Sequence, residues 1–175
     1  MNKLLFALLF STTIVFSQKA NVTKGDWSDL KGITEFNLEF DYSDLEIPKY
    51  DSEEAFLEDK IAKREEKEPG TGEKFRESWF SDRENYYEPR FIETFNDRYK
   101  DGLVKVDRDL GNAEYTMKVH TTFIYPGYNV GVVRKNSKLE VTLSVYKNDS
   151  PDDIIFEVDY TKIEGAGNGG YDFNS

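Results

Sequence analysis

The sequence feature that most constrains the fold is the strict alternation in "EFNLEFDY", residues 35–42. Phe36, Leu38, Phe40 and Tyr42 alternate with acidic and amide residues. Because successive side chains of a strand point to opposite faces, this pattern predicts a strand with one buried and one solvated face. The chain therefore has to build a sheet that is covered on one side.

The second half of the chain repeats this alternation in three longer segments, residues 113–125, 138–146 and 153–163. The stretches between them are rich in turn residues, and sequential strands joined in this way usually pair antiparallel. A three-stranded meander is predicted. Its inward residues are expected to be Tyr115, Met117, Val119, Phe123, Leu139, Val141, Leu143, Val145, Ile154, Phe156, Val158 and Tyr160.

Two helices are predicted between the first strand and the meander. Ser52, followed by two glutamates, opens a helix that ends before Pro69. A longer helical pattern spans about residues 75–100 and places Tyr87, Phe91 and Phe95 on one face. Pro89 lies inside it, so this helix is expected to kink or restart there.

A short strand within residues 103–109 completes the order β-α-α-β-β-β-β. This order predicts an α+β fold with a mixed, mainly antiparallel sheet and helices packed on one face. Residues 32–175 are expected to form a single domain, and the polar residues 18–31 a leader that precedes it.

The first seventeen residues have the pattern of a secretory signal peptide. Lys3 is followed by an apolar stretch to Phe16, and the small residues Val15 and Ser17 precede Gln18. A buried N-terminal helix is the alternative interpretation. The signal predicts an exported protein with no span in the mature chain, located in the periplasm, at the outer-membrane periphery or outside the cell.

Composition excludes several classes of function. The chain has no cysteine, which excludes disulfides, thiolate metal sites, cysteine nucleophiles and a lipid anchor on an N-terminal cysteine. Its formal net charge of −11 makes nucleic acid and anionic membrane surfaces poor partners. The acidity favours solubility, a basic partner or loosely held cations.

No motif predicts a catalytic residue, a metal site or a cofactor. His120 is the only histidine; a general base or metal ligand is one interpretation, and a solvent-facing strand residue is the favoured one. Carboxylates are abundant, but their adjacent pairs do not predict a glycosidase site. "NDSPDD" lacks the order of a calcium loop, and the glycine-rich C-terminal segment lacks the lysine of a phosphate loop.

The stretch "TTFIYPGYNVGVVRK" is the candidate binding site. Tyr125, Tyr128, Asn129, Arg134 and Lys135 combine aromatic rings with a basic pair on an acidic protein. Aromatic and arginine side chains are common anchors at interfaces. The alternative is a long hairpin turn whose tyrosines fold back over the sheet edge.

This stretch, the meander and "GGYDF" together resemble a family of uncharacterised exported bacterial envelope proteins. The resemblance covers roughly the last third of the chain and implies no activity. In that family the YDF segment leads into a C-terminal amphipathic helix that packs on the sheet, so the resemblance implies that this chain, which ends at Ser175, is truncated. In topology alone the chain is similar to the periplasmic domains of curli-secretion and penicillin-binding-protein-activator lipoproteins, which are non-enzymatic, although it lacks their lipid-anchor cysteine.

The expected function is therefore a non-enzymatic envelope module that binds a protein partner. Its oligomeric state is left open. One alternative is a small-ligand carrier with an aromatic pocket, and another is a carboxylate-dependent glycan hydrolase. The rings expected to line the carrier's pocket are Tyr86, Tyr87, Phe91 and Phe95.

Overall fold

The structure is a computed structural model that describes residues 19–99, 103–129 and 134–165, without the side chains of Asn129 and Arg134. Its strands are β1 (Lys19–Lys24), β2 (Glu35–Asp41), β3 (Lys105–Asp107), β4 (Tyr115–Tyr125), β5 (Tyr128–Asn129), β6 (Arg134–Lys135), β7 (Lys138–Lys147) and β8 (Ser150–Glu164). Its helices are α1 (Glu53–Lys67), α2 (Thr71–Asp82) and α3 (Glu88–Arg98), with a 3₁₀ turn at Trp27–Leu30 and a π-helical turn at Arg83–Tyr87.

Six strands form one mixed sheet in the order β1-β8-β7-β4-β2-β3. β4, β7 and β8 are the predicted antiparallel meander, and β1 adds antiparallel to β8. β2 lies parallel to β4 on one side and to β3 on the other. The predicted α+β class with a mixed, mainly antiparallel sheet is confirmed.

α1 begins where the sequence indicates, whereas the second helical region begins at Thr71 rather than near residue 75; it restarts near Pro89, as expected. The Ser52 side chain accepts a hydrogen bond from the Ala55 backbone N–H at 3.1 Å and caps α1. The second helical region, which we call the long helix, runs from Thr71 to Arg98, and a π-helical turn interrupts it just before Pro89. The N–H of Glu88 donates to the carbonyl of Arg83, so the π turn widens the helix before the proline, which then lies in the first turn of α3.

The helices pack on one face of the sheet around two apolar clusters. The main cluster contains Phe36, Leu38, Val106, Met117, Val119, Val141, Val145, Phe156 and Val158. α3 covers it, with the Phe91 ring 5.7 Å from that of Phe40 between centroids. The second cluster joins α1 to the loop after β2 through Phe56, Leu57, Leu45 and Ile47. Burial of these side chains is the main favourable term in folding.

The opposite face of the sheet is polar, and its side chains are linked across strands. Tyr146 donates to Glu39 at 2.7 Å, and Thr142 donates to Asp159 at 2.7 Å. Ser144 donates to Glu157 at 3.0 Å. Cross-strand pairs of this kind help to fix the register of the strands.

Two bulges move residues that were predicted to point inward. The β4–β7 register shifts between Thr121 and Phe123, and Ile124 packs against the second cluster. A shift in β8 likewise brings Ile155 against the main cluster. The prediction of Phe123 and Ile154 as inward residues fails here because an extra residue reverses the alternation.

The predicted leader is corrected by the structure. Residues 19–24 form β1, which pairs with β8, with Val22 opposite Val158. The Trp27 ring then lies 4.7 Å from that of Phe156 between centroids. An edge strand with a single half-buried apolar residue shows no alternation, and the segment therefore resembles a leader in sequence.

Two other predictions lie outside the described residues, namely the signal peptide at 1–17 and the chain after Gly165. Within the described ranges, no helix combines the length and apolarity needed to span a bilayer.

The docking of β1 predicts unequal effects of alanine at two glycines. Both have left-handed backbone, with φ +70° at Gly25 and +92° at Gly32, where alanine costs about 1–2 kcal/mol. A Cβ at Gly25 would lie 2.3 Å from the Ile155 carbonyl oxygen, whereas a Cβ at Gly32 meets nothing within 4 Å. Urea unfolding should show that Gly25→Ala loses about 1–3 kcal/mol more than Gly32→Ala. Equal losses would mean that this segment does not lie against β8.

Candidate binding surfaces

The candidate stretch is a hairpin whose strands continue past the main sheet. β4 and β7 pair as far as Tyr125 and Lys138. After an interruption at Pro126 and Gly127, β5 and β6 pair as a separate two-stranded sheet. We call β5 and β6, with Tyr128 opposite Lys135, the ribbon.

Gly127 is required at the point where the hairpin passes into the ribbon. Its φ is +75°, and a Cβ there would lie 2.5 Å from the Lys135 carbonyl oxygen. A side chain would therefore separate the two strands.

The ribbon brings part of the predicted site together. Tyr128 is 39% exposed, and the Lys135 ammonium lies 5.9 Å from its ring centroid, a cation–π distance. Tyr125 is half-buried at the end of β4. Asn129 and Arg134 are opposite each other in the ribbon, but their side chains are outside the described part of the structure.

A second surface was not predicted, a cleft of about 560 Å³ beside β2. We call it the arginine cleft. It is lined by Leu38, Glu39, Phe40, Tyr42, Phe80, Arg83, Glu84, Glu88, Arg108 and Asp109. Most of these side chains are charged or polar, and they come from β2, the long helix and the turn after β3.

A buried carboxylate is at the centre of the arginine cleft. Glu88 is 4% exposed, and its Oε2 accepts a hydrogen bond from Arg108 Nη1 at 2.5 Å. The Tyr42 hydroxyl donates to its Oε1 at 3.4 Å. Both carboxylate oxygens are therefore engaged, as a buried charge requires.

Arg83 continues this network toward α1. Its guanidinium lies 4.4 Å from the Tyr42 ring centroid and forms an ion pair with Glu53. Trp79 Nε1 donates to the same Glu53 oxygen at 2.5 Å. Burial, assisted by the negative charge of Glu88, raises the pKa of Tyr42 far above its usual value, so the hydroxyl remains a donor at neutral pH.

His120 has a structural contact on the polar face. Its Nε2 lies 2.8 Å from the Ser43 carbonyl oxygen, in the loop that follows β2. Nearby, Lys118 pairs with Asp41 at 2.6 Å. Burial alone would raise the pKa of Asp41, but its hydrogen bonds to Lys118 and Ser43 outweigh burial and lower it well below the usual range. Among the described residues, no three metal-ligating side chains converge.

The four rings expected to line a carrier pocket divide into an exposed pair and a packed pair, and the packed rings of Phe91 and Phe95 have centroids 6.1 Å apart. Tyr86 and Tyr87 are 54% and 46% exposed, whereas Phe91 and Phe95 pack against the main cluster. Two of the rings belong to the core and two to the surface.

Sequence alone gives little signal for the arginine cleft. Tyr42, Arg83, Glu88 and Arg108 are spread over 42–108 and share no spacing. Pro89, inside a helical pattern, is the one available hint, because π turns are often found at functional sites.

Comparisons of the chain with protein-family models, curated proteins and solved structures found no match.

The Glu88–Arg108 pair predicts a stability effect that differs from that of an exposed pair. Arg108→Met leaves Glu88 buried without its cation and should cost about 1–3 kcal/mol in urea unfolding. Replacing both residues by Met should recover much of the loss, because no buried charge remains. Arg90→Met is the control, since its partner Glu93 is exposed on α3, and about 0–1 kcal/mol is expected. Similar losses for Arg108→Met and Arg90→Met would contradict this description.

Proposed function

We propose that this chain is an exported, non-enzymatic envelope protein that binds a protein partner through the ribbon. The observation that carries the proposal is the exposed pairing of Tyr128 with Lys135 on a two-stranded extension of the sheet. A rigid aromatic ring beside a cation is a frequent interface anchor. The predicted signal peptide and the resemblance to exported envelope proteins support the location.

Charge indicates the kind of partner. The chain has a formal net charge of −11, while the ribbon carries Arg134 and Lys135 in adjacent positions. A partner with an acidic patch would be attracted to the ribbon and repelled by much of the remaining surface. The ribbon therefore supplies orientation as well as contact area.

The arginine cleft supports this proposal more than either alternative. Carrier pockets are mostly apolar with a few polar groups, and this cleft is mostly polar. A hydrolase needs one carboxyl free to transfer a proton and another to act as base or nucleophile. Glu88, the buried carboxylate, is instead held by Arg108 and Tyr42.

Capture from an envelope extract tests the proposal. The bait is the chain from Gln18, compared with Tyr128→Ala/Lys135→Ala. The control is Tyr86→Ala/Lys74→Ala, which removes the same residue types at exposed positions outside the ribbon. We expect the ribbon variant to lose a stoichiometric partner by about tenfold or more, and the control to retain it.

Equal capture by the ribbon variant and the parent would contradict the proposal. Each variant should show the same urea midpoint as the parent chain, so that loss of capture is not loss of folding.

A further inference from the structure

The outer side of β2 is an open strand edge over part of its length. β3 pairs with β2 only from Glu35 to Asn37, whereas β2 continues to Asp41. β3 is the last strand on this side of the sheet formed by the described residues. Among the described residues, the outer side of Leu38–Asp41 therefore has no neighbouring strand over about 13 Å.

The pattern of backbone bonds shows which groups face outward. The Lys105 N–H donates to the Thr34 carbonyl at 2.8 Å, and backbone groups of alternate residues point to the same side of a strand. Those of Leu38 and Phe40 therefore point toward β3. The parallel ladder ends when the Leu38 N–H meets the Asp107 carbonyl. The Leu38 carbonyl and both backbone groups of Phe40 lie beyond that point without a strand partner.

This open edge lies inside the arginine cleft. Leu38, Glu39 and Phe40 line the cleft, and no residue of β4 does, so the cleft is on the outer side of β2. The long helix forms the opposite wall, with Phe80 exposed on it. The edge is thus recessed between a helix and the turn after β3.

The charged side chains of the arginine cleft indicate what kind of segment could bind there. Three acidic residues, Glu84, Glu88 and Asp109, line the cleft with Arg83 and Arg108. Glu39 also lines it, but its carboxylate accepts a hydrogen bond from Tyr146 on the opposite face of the sheet. Both arginines are already paired, with Glu53 and Glu88. Within the described ranges, Glu84 and Asp109 form no ion pair. The unmatched charge of the cleft is negative.

We propose that this edge binds an extended, lysine- or arginine-bearing segment of another protein, which adds a strand to the sheet beside Leu38–Asp41. The segment donates backbone N–H groups to the Leu38 and Phe40 carbonyls and accepts from the Phe40 N–H. Its basic side chains pair with Glu84 and Asp109. This site is independent of the ribbon, and each can fail without the other.

Synthetic peptides test the site directly. The probe is a short blocked peptide of alternating lysine and valine, titrated into the chain from Gln18 while backbone amide shifts are recorded. We expect saturable shifts centred on 38–41, and no binding of the same peptide with glutamate in place of lysine. Two further peptides carry N-methyl groups on one or the other alternating set of residues. Methylation of the set whose N–H groups face β2 should weaken binding by about tenfold or more, because it removes these donors, whereas methylation of the other set should not.

Variants of the cleft separate this site from general attraction to an acidic protein. Glu84→Gln and Asp109→Asn should each weaken the lysine peptide by about threefold. Glu77→Gln is the matched control, since Glu77 is exposed on the same helix but does not line the cleft. It should leave the affinity unchanged.

Three results of the peptide titrations would overturn the proposal. They are an absence of saturable binding, equal affinity for both N-methylated peptides, and amide shifts centred on β1, the strand at the opposite side of the sheet. Self-association of the chain through β2, detected by sedimentation, would also overturn it, because the occupant would then be a second copy.

Discussion

The parallel pairing of β2 with β4 is the interaction on which the rest of the structure depends. It runs from Phe36 opposite Tyr115 to Asp41 opposite His120 and joins the first half of the chain to the meander. Bringing together residues so distant in sequence costs loop-closure entropy, which the contacts of the sheet and the intervening helices have to offset. The same pairing buries Phe36 and Leu38 and supports α3 through Phe40 and Phe91.

The sequence predicts those parts of the fold that depend on local periodicity. The alternation around Phe36 and around Val141 identifies strands, and Ser52 identifies the start of α1. The bulge at Thr121–Phe123 could not be predicted, because an inserted residue changes register without changing composition. β1 was missed for a different reason, since an exposed edge strand needs no apolar alternation. The ribbon was predicted as a turn-rich stretch, whereas the arginine cleft depends on tertiary contacts between residues with no common pattern.

The two outer edges of the sheet are protected in different ways. β1 is exposed along its length and carries Lys19 and Lys24 at its ends, and charged residues of this kind discourage pairing with another chain. The outer edge of β2 is recessed in the arginine cleft and has no lysine between Leu38 and Asp41. Its access is controlled by the shape and negative charge of the cleft. An edge that is both open and selective suits a recognition site better than an unprotected edge would.

The most direct test of this account is amide hydrogen exchange in the free chain. The N–H groups of Glu39 and Asp41 point toward β4 and should exchange only by large-scale opening of the sheet. The Phe40 N–H lies between them in sequence but faces the cleft, and it should exchange at a rate close to that of an unpaired amide. Protection of Phe40 equal to that of its two neighbours would mean that the outer edge of β2 is already paired, and would contradict the account.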